Sequence, residues 1–179
     1  MLIQTDGVMP ELPEEDYGEL SLAEAGIAVD VGTSTVAMSL WSLAQKKCLA
    51  CVAEKNSQMR YGYDVIRRIS YASRTPVTGS SQTVESGPSA LHYCIISQLE
   101  KMFSKLVSLA SAKVERGVRI NVRRIVITGN TTMLSFVCAF PVDTMAAAPF
   151  KVPSYFGFSA SWNDVRLGKV HDKCVSLDS

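Results

Sequence analysis

Asp30 closes a short apolar run, Ile27-Ala28-Val29-Asp30-Val31, and is followed by Gly32 and three hydroxyl residues, Thr33, Ser34 and Thr35, before a second apolar run opens at Val36. A carboxylate at a strand end can hold a hydrated Mg²⁺, an ion that favours a carboxylate together with water and phosphate oxygens. Gly32 lets the backbone approach a bulky anion without a side chain in the way. The amides of Gly32 to Thr35, with their hydroxyls, then make a concavity of donors suited to phosphate. The same D-x-G-T-x-T string also serves as a hairpin turn between two buried strands, so the motif alone leaves both readings open. Neither G-x-x-x-x-G-K-[ST] nor a G-x-G-x-x-G after a strand occurs in the chain.

A second candidate group is Gly129-Asn130-Thr131, which follows the apolar run Ile125-Val126-Ile127-Thr128 and precedes Thr132-Met133-Leu134-Ser135-Phe136-Val137. That is a buried parallel strand followed by a helix, and ligand sites of open α/β sheets lie at such carboxyl ends. A plain strand-to-helix turn capped by Asn130 or Thr131 is the competing reading. Polar residues between the two groups, Asn56, Gln58, Asp64 and Arg68, are candidates for ordering a loop or meeting a partner, with local capping and ion pairing as the alternative.

The elements that must position these residues can be read from periodicity. Strands are expected at 26–31, 34–43 and 46–55, with Ala44-Gln45-Lys46-Lys47 as the hairpin between the last two, an antiparallel three-stranded start. A polar loop, 56–64, leads into an amphipathic stretch with Val65, Ile66 and Ile69, which Asp64 is placed to cap. Residues 74–88, rich in Ser, Thr, Gly and Pro, read as an exposed loop. Leu91, Ile95, Leu99, Met102, Leu106 and Leu109 recur at three and four residues, one face of a long helix on a sheet. The last part, with Pro141, Pro149 and Pro153, is irregular, with one more strand expected near 165–170.

At 179 residues, of which 47% are hydrophobic, the chain can fill one core, and a disordered class does not fit. Its net charge of +1 hides an asymmetry: residues 1–25 hold seven acidic and no basic residues, and the remainder holds 18 basic against 10 acidic. The first 25 residues therefore read as an acidic linker or tail and 26–179 as the folded part. The basic surplus is spread out, without the clustered Arg/Lys and interleaved aromatics of a nucleic-acid binder. Cys48, Cys51, Cys94, Cys138 and Cys174 read as buried thiols of a cytoplasmic protein, since Cys48 and Cys51 have metal-ligand spacing but no second pair. Neither a signal peptide nor an apolar run long enough to span a bilayer is present in the sequence, and no membrane role is expected.

The loop from Asp30 to Thr35 resembles the first phosphate loop of the actin-like ATPase superfamily, which includes sugar kinases, acetate kinases and large heat-shock chaperones. Three ordered stretches carry a narrower resemblance: Ile27 to Thr35; Asn56-x-Gln58 with Tyr61-Gly62-x-Asp64-Val65, Arg68-Ile69 and Tyr71-Ala72; and Gly129-Asn130-Thr131-Thr132-Met133 with Ala148-Pro149-Phe150. Together, from about Gly26 to Pro153, they look like the actin-like domain of the reductive activators of corrinoid proteins. The resemblance implies a ribonuclease H-like α/β half-fold: a mixed sheet, three antiparallel strands first, with helices packed on it. It also implies an ATPase that couples nucleotide hydrolysis to one-electron reduction of a Co(II) corrinoid protein to Co(I).

On this resemblance Asp30 would order Mg²⁺ through water, Gly32, Thr33, Ser34 and Thr35 would contact the phosphates of ATP, and Gly129, Asn130 and Thr131 would sit near the terminal phosphate or attacking water. Members typically carry an upstream [2Fe–2S] ferredoxin domain, but the plant-type C-x₄-C-x₂-C run is missing here, so no iron–sulfur cluster is expected in this chain. The second phosphate loop and the adenosine motif are missing too, which leads to the expectation of a first subdomain, inactive alone and prone to self-association. A sugar or carboxylate kinase, and a non-catalytic interaction module, are the rival readings.

Overall fold

In the computed structural model, residues 2–3, 22–73, 87–114 and 118–170 are described. Strand β1 is Leu2–Ile3, β2 Leu22–Val31, β3 Thr35–Ser42, β4 Lys47–Lys55 and β5 Arg119–Gly129. Helices are α1 Val65–Ala72, α2 Gly87–Ser111, α3 Thr131–Val137 and α4 Trp162–Arg166, with short 3₁₀ turns at Ser57–Arg60 and Asp143–Met145. The sheet order is β1-β5-β2-β3-β4. The pairs β2–β3 and β3–β4 are antiparallel, while β5 lies parallel to β2, with Asp30 opposite Thr128 and Val31 opposite Gly129. A mixed α/β sheet that opens with three antiparallel strands is the architecture anticipated above.

Alternation sorts the strand residues onto two faces. Ile27, Val29 and Val31 of β2, Val36, Met38 and Leu40 of β3, and Ala50 and Val52 of β4 are buried. Against that face lies α2, whose Leu91, Ile95, Leu99, Met102 and Leu106 are fully buried. The opposite face presents small side chains, Ala28, Ala37 and Ser39 with Val126 and Thr128, around a shallow depression that includes Asp30. No described helix is long and apolar enough to cross a membrane.

Four expectations need correction. The first long strand starts at Leu22, inside the stretch read as a tail, and Leu2–Ile3 of the same stretch pairs with β5. Leu109 is 46% exposed, and Ala110 takes the buried position instead, because the 25-residue helix rotates its apolar stripe by a residue near its end. Cys51 is exposed and Cys48 only half-buried, whereas Cys94 and Cys138 are buried; Cys174 lies outside the described residues. Residues 165–170 form no strand. Ser161 caps α4 by accepting from the Asp164 amide. Gly168, at φ +66°, ends the helix, with its N–H on the Val165 carbonyl and the Lys169 N–H on that of Asp164. That pair of bonds around a left-handed glycine is a Schellman stop. The loop expected at 74–88 falls outside the described residues except for Gly87 and Pro88, which begin α2.

Candidate functional site

Asp30 is the last residue but one of β2, and because Val29 and Val31 face the core, its carboxylate projects from the opposite face into solvent. The chain then turns sharply: the Gly32 N–H donates to the Thr35 carbonyl at 2.9 Å, and a Cβ on Gly32 would lie 2.7 Å from that same oxygen. Only glycine fits this close approach. The other carbonyls of the turn are also held from behind. Asn56 Nδ2 donates to the Gly32 carbonyl at 2.8 Å, the Asn56 N–H to Ser34 at 2.9 Å, and Arg68 Nη2 to Thr33 at 2.6 Å. Every carbonyl from Gly32 to Thr35 therefore accepts a bond within the protein. Among the described residues no acceptor faces the amides of Thr33 and Ser34. The Gly32 amide, expected as a donor to a ligand, is instead engaged inside the turn.

The clamp behind the loop is built from residues far apart in sequence. Arg68 is fully buried, and no carboxylate among the described residues pairs with it. Its guanidinium spends its donors on the Thr33 carbonyl, on the Gly62 carbonyl through Nε at 2.8 Å, on Gln58 Oε1 at 3.5 Å and on Met133 Sδ at 3.2 Å. Burial pushes its pKa below the ordinary guanidinium value, opposed by the nearby Cys94 and Asp64. The planar fork suits this task, because it bonds two carbonyls in fixed directions where an ammonium could not.

Gln58 is buried as well, with its Nε2 on the Leu91 carbonyl of α2 at 3.0 Å. Asn56 caps the Ser57–Arg60 turn by accepting from the Gln58 amide. Asp64 stands apart from this network: it caps α1 by accepting from the Arg67 amide at 2.7 Å and pairs with the exposed Arg67 guanidinium at 3.5 Å. Asn56, Gln58 and Arg68 are thus buried and bonded to one another or to the loop backbone.

The second loop meets the first directly. Asn130 Nδ2 donates to Thr33 Oγ1 at 3.2 Å, while Asn130 Oδ1 accepts from the Met133 amide and so caps α3. A Cβ on Gly129 would lie 2.7 Å from the Val31 carbonyl, so the two loops can run this close only with glycine there. Thr131 is half-buried, and its carbonyl accepts from Ser135 Oγ. The fold therefore brings Asp30, Gly32, Thr33, Ser34 and Thr35 together with Gly129 and Asn130 at the carboxyl ends of adjacent strands.

What the motif reading missed is Met133, whose sulfur receives both Asn56 Nδ2 at 3.7 Å and Arg68 Nη1. It missed Gln98 too, which holds the loop after β4 by accepting from Ser57 and donating to the Lys55 carbonyl. A signal for Arg68 was present: it stands with Val65, Ile69 and Ala72 on the inward stripe of α1, where an arginine must find internal acceptors.

Chemically, the arrangement offers two unengaged amides, three hydroxyls and an exposed carboxylate on one rim. That donor set fits phosphate oxygens, and a single carboxylate with waters fits Mg²⁺. Among the described residues no group of three His, Cys, Asp or Glu is positioned to hold a metal by itself.

No curated protein sequence matches the chain. A solved structure titled "Reductive activator for corrinoid,iron-sulfur protein" superposes with a TM-score of 0.63 at 27% identity, over 78% of this chain and 20% of that one. The chain therefore spans about a fifth of the length of that relative. The family model described as "RACo middle region" matches residues 25–169, a span that includes both loops and the whole clamp behind them, and the chain belongs to that family.

Proposed function

We propose that this chain supplies the first phosphate-binding half of the nucleotide site in an ATP-dependent reductive activator, a protein that returns Co(II) corrinoid proteins to the Co(I) state. The observation that carries this reading is the inward bonding of all four carbonyls from Gly32 to Thr35, while the amides of Thr33 and Ser34, in the turn that follows Asp30, meet no acceptor among the described residues. A hairpin turn with no ligand to hold would not need a buried arginine and a buried asparagine to orient its carbonyls.

In this role Asp30 holds Mg²⁺ through water, and Thr33, Ser34 and Thr35 donate to phosphate oxygens. Gly32 contributes by permitting the turn. Asn130 is tied to Thr33 and so fixes the distance between the two loops, with Gly129 and Thr131 beside it. Mg-ATP, when bound, supplies the hydrolysis energy that offsets an uphill electron transfer. Such fixed donors do most of their work by electrostatic positioning, since they need no reorganisation as charge develops. The electron comes from a [2Fe–2S] domain of the complete protein, and the acceptor is Co(II) in the partner corrinoid protein, which gains one electron to become Co(I). Nucleotide can favour the reduced product only through a difference in its affinity for the two states of the complex.

The test is anaerobic reduction by the full-length protein, followed by the absorbance change of the cobalt centre. Formation of Co(I) that requires both reductant and Mg-ATP supports the reading. Co(I) formation at the same rate without ATP, or transfer of the phosphoryl group to an added sugar or acetate, would overturn it.

A further inference from the structure

Between the Ser57–Arg60 turn and α1 lies a solvent-open cleft of about 480 Å³, lined by none of the residues of the phosphate loop. Its chemistry is distinct from that of the nucleotide rim. Tyr61 and Tyr71, which line it, have ring centroids 4.8 Å apart, and the Arg60 guanidinium lies 5.1 Å from the centroid of the Tyr61 ring. Tyr63 is 71% exposed, and the Arg67 side chain is 70% exposed although it touches Asp64. Arginine and tyrosine are, with tryptophan, the residue types enriched among those that supply binding energy at protein interfaces, because each combines a flat contact area with directional donors. The Gly62 backbone between them is held by the same Arg68 that holds Thr33, so this cleft has a fixed wall before any ligand arrives.

We propose that the cleft is a docking site for an acidic segment of a protein partner, one that carries an aromatic side chain between its carboxylates. Arg60 and Arg67 take the carboxylates through paired N–H donors, and the Tyr61–Tyr71 pair takes the aromatic ring in offset or edge contact. Charge complementarity favours an acidic occupant, since Arg60 and Arg67 line the cleft and no carboxylate does, Asp64 offsetting only the Arg67 with which it pairs. Its openness favours a surface segment over an enclosed metabolite, which would be buried on most sides. This site goes beyond the nucleotide reading and stands without it, because its occupancy is measured in the absence of ATP.

The experiment is fluorescence anisotropy on the full-length protein with a labelled peptide of glutamates flanking one phenylalanine. Controls are the same peptide with glutamines for glutamates and a single-stranded oligothymidine of about ten nucleotides. The acidic peptide is expected to bind, and the Arg60→Gln/Arg67→Gln double variant to weaken it by about tenfold or more at an unchanged melting temperature. Failure of the peptide to bind, equal binding of the glutamine peptide, or an unchanged affinity in the double variant would overturn the proposal. Tighter binding of the oligothymidine would assign the cleft to nucleic acid and overturn it equally.

Discussion

Replacing Arg68 by methionine isolates what the clamp does, because the thioether chain fills most of the space of the arginine stem and removes only the donors. Two strong bonds vanish, those to the Thr33 carbonyl at 2.6 Å and to the Gly62 carbonyl at 2.8 Å, and both acceptors are left facing an apolar side chain. An unsatisfied buried carbonyl costs about 1–3 kcal/mol, so the pair costs about 2–6 kcal/mol. Against this, the remaining desolvation cost of the hydrogen-bonded guanidinium disappears with it, an offset of about 1–3 kcal/mol. At the middle of both ranges the net local loss is about 2 kcal/mol, which corresponds to roughly a 30-fold rise in the opening equilibrium of the loop. Amide hydrogen exchange in the full-length protein reads this directly, because the Gly32 amide is bonded to Thr35 and the Asn56 amide to Ser34. Both amides should exchange faster by that factor, with the amides of α2 unchanged. Acceleration of less than about threefold would mean that water replaces the guanidinium without loss, and the clamp reasoning would fail.

Two further perturbations probe the frame around the site. Gly129→Ala places a Cβ 2.7 Å from the Val31 carbonyl, backbone against backbone, and is expected to destabilise by about 1–3 kcal/mol and to separate the two loops; an unchanged melting temperature would contradict the close-approach argument. His92 is buried, with Nδ1 at 3.1 Å from the Phe136 carbonyl and Nε2 at 3.2 Å from that of Arg166, and so joins α2 to the ends of α3 and α4. His92→Leu should cost about 1–3 kcal/mol by thermal unfolding, from the imidazole bonding lost between α2 and the other two helices, and an unchanged melting temperature would show that other donors or solvent satisfy these carbonyls.

The strands and helices that position the loops were legible because each carries a strong periodic or capping signal. Alternation marks β3, Asp64 starts α1, and the three-and-four spacing marks α2. Where the sequence misled, the competing signal was also local. Val165 and Leu167 alternate like a strand, yet the Ser161 cap and the Gly168 stop define a single helical turn around them.

The candidate site was legible as two motifs, but their joining was not. Nothing in sequence spacing tells that Asn130 reaches Thr33 across 97 positions, or that Met133 sits behind both Asn56 and Arg68. Those contacts follow from the parallel pairing of β5 with β2, a tertiary fact that no window of sequence contains. Arg68, expected to order a loop, to meet a partner or to pair locally, is buried because α1 turns Val65, Arg68, Ile69 and Ala72 inward.

The central claim is that Asp30 and the loop after it form a nucleotide rim. It is tested most directly by titrating Mg-ATP into the full-length protein and into its Asp30→Ala variant, with hydrolysis measured on the same samples. Asp30 is solvent-exposed and makes no core contact, so the variant should keep its melting temperature while Mg-dependent ATP hydrolysis is lost. Undiminished hydrolysis in a folded Asp30→Ala protein would contradict the account.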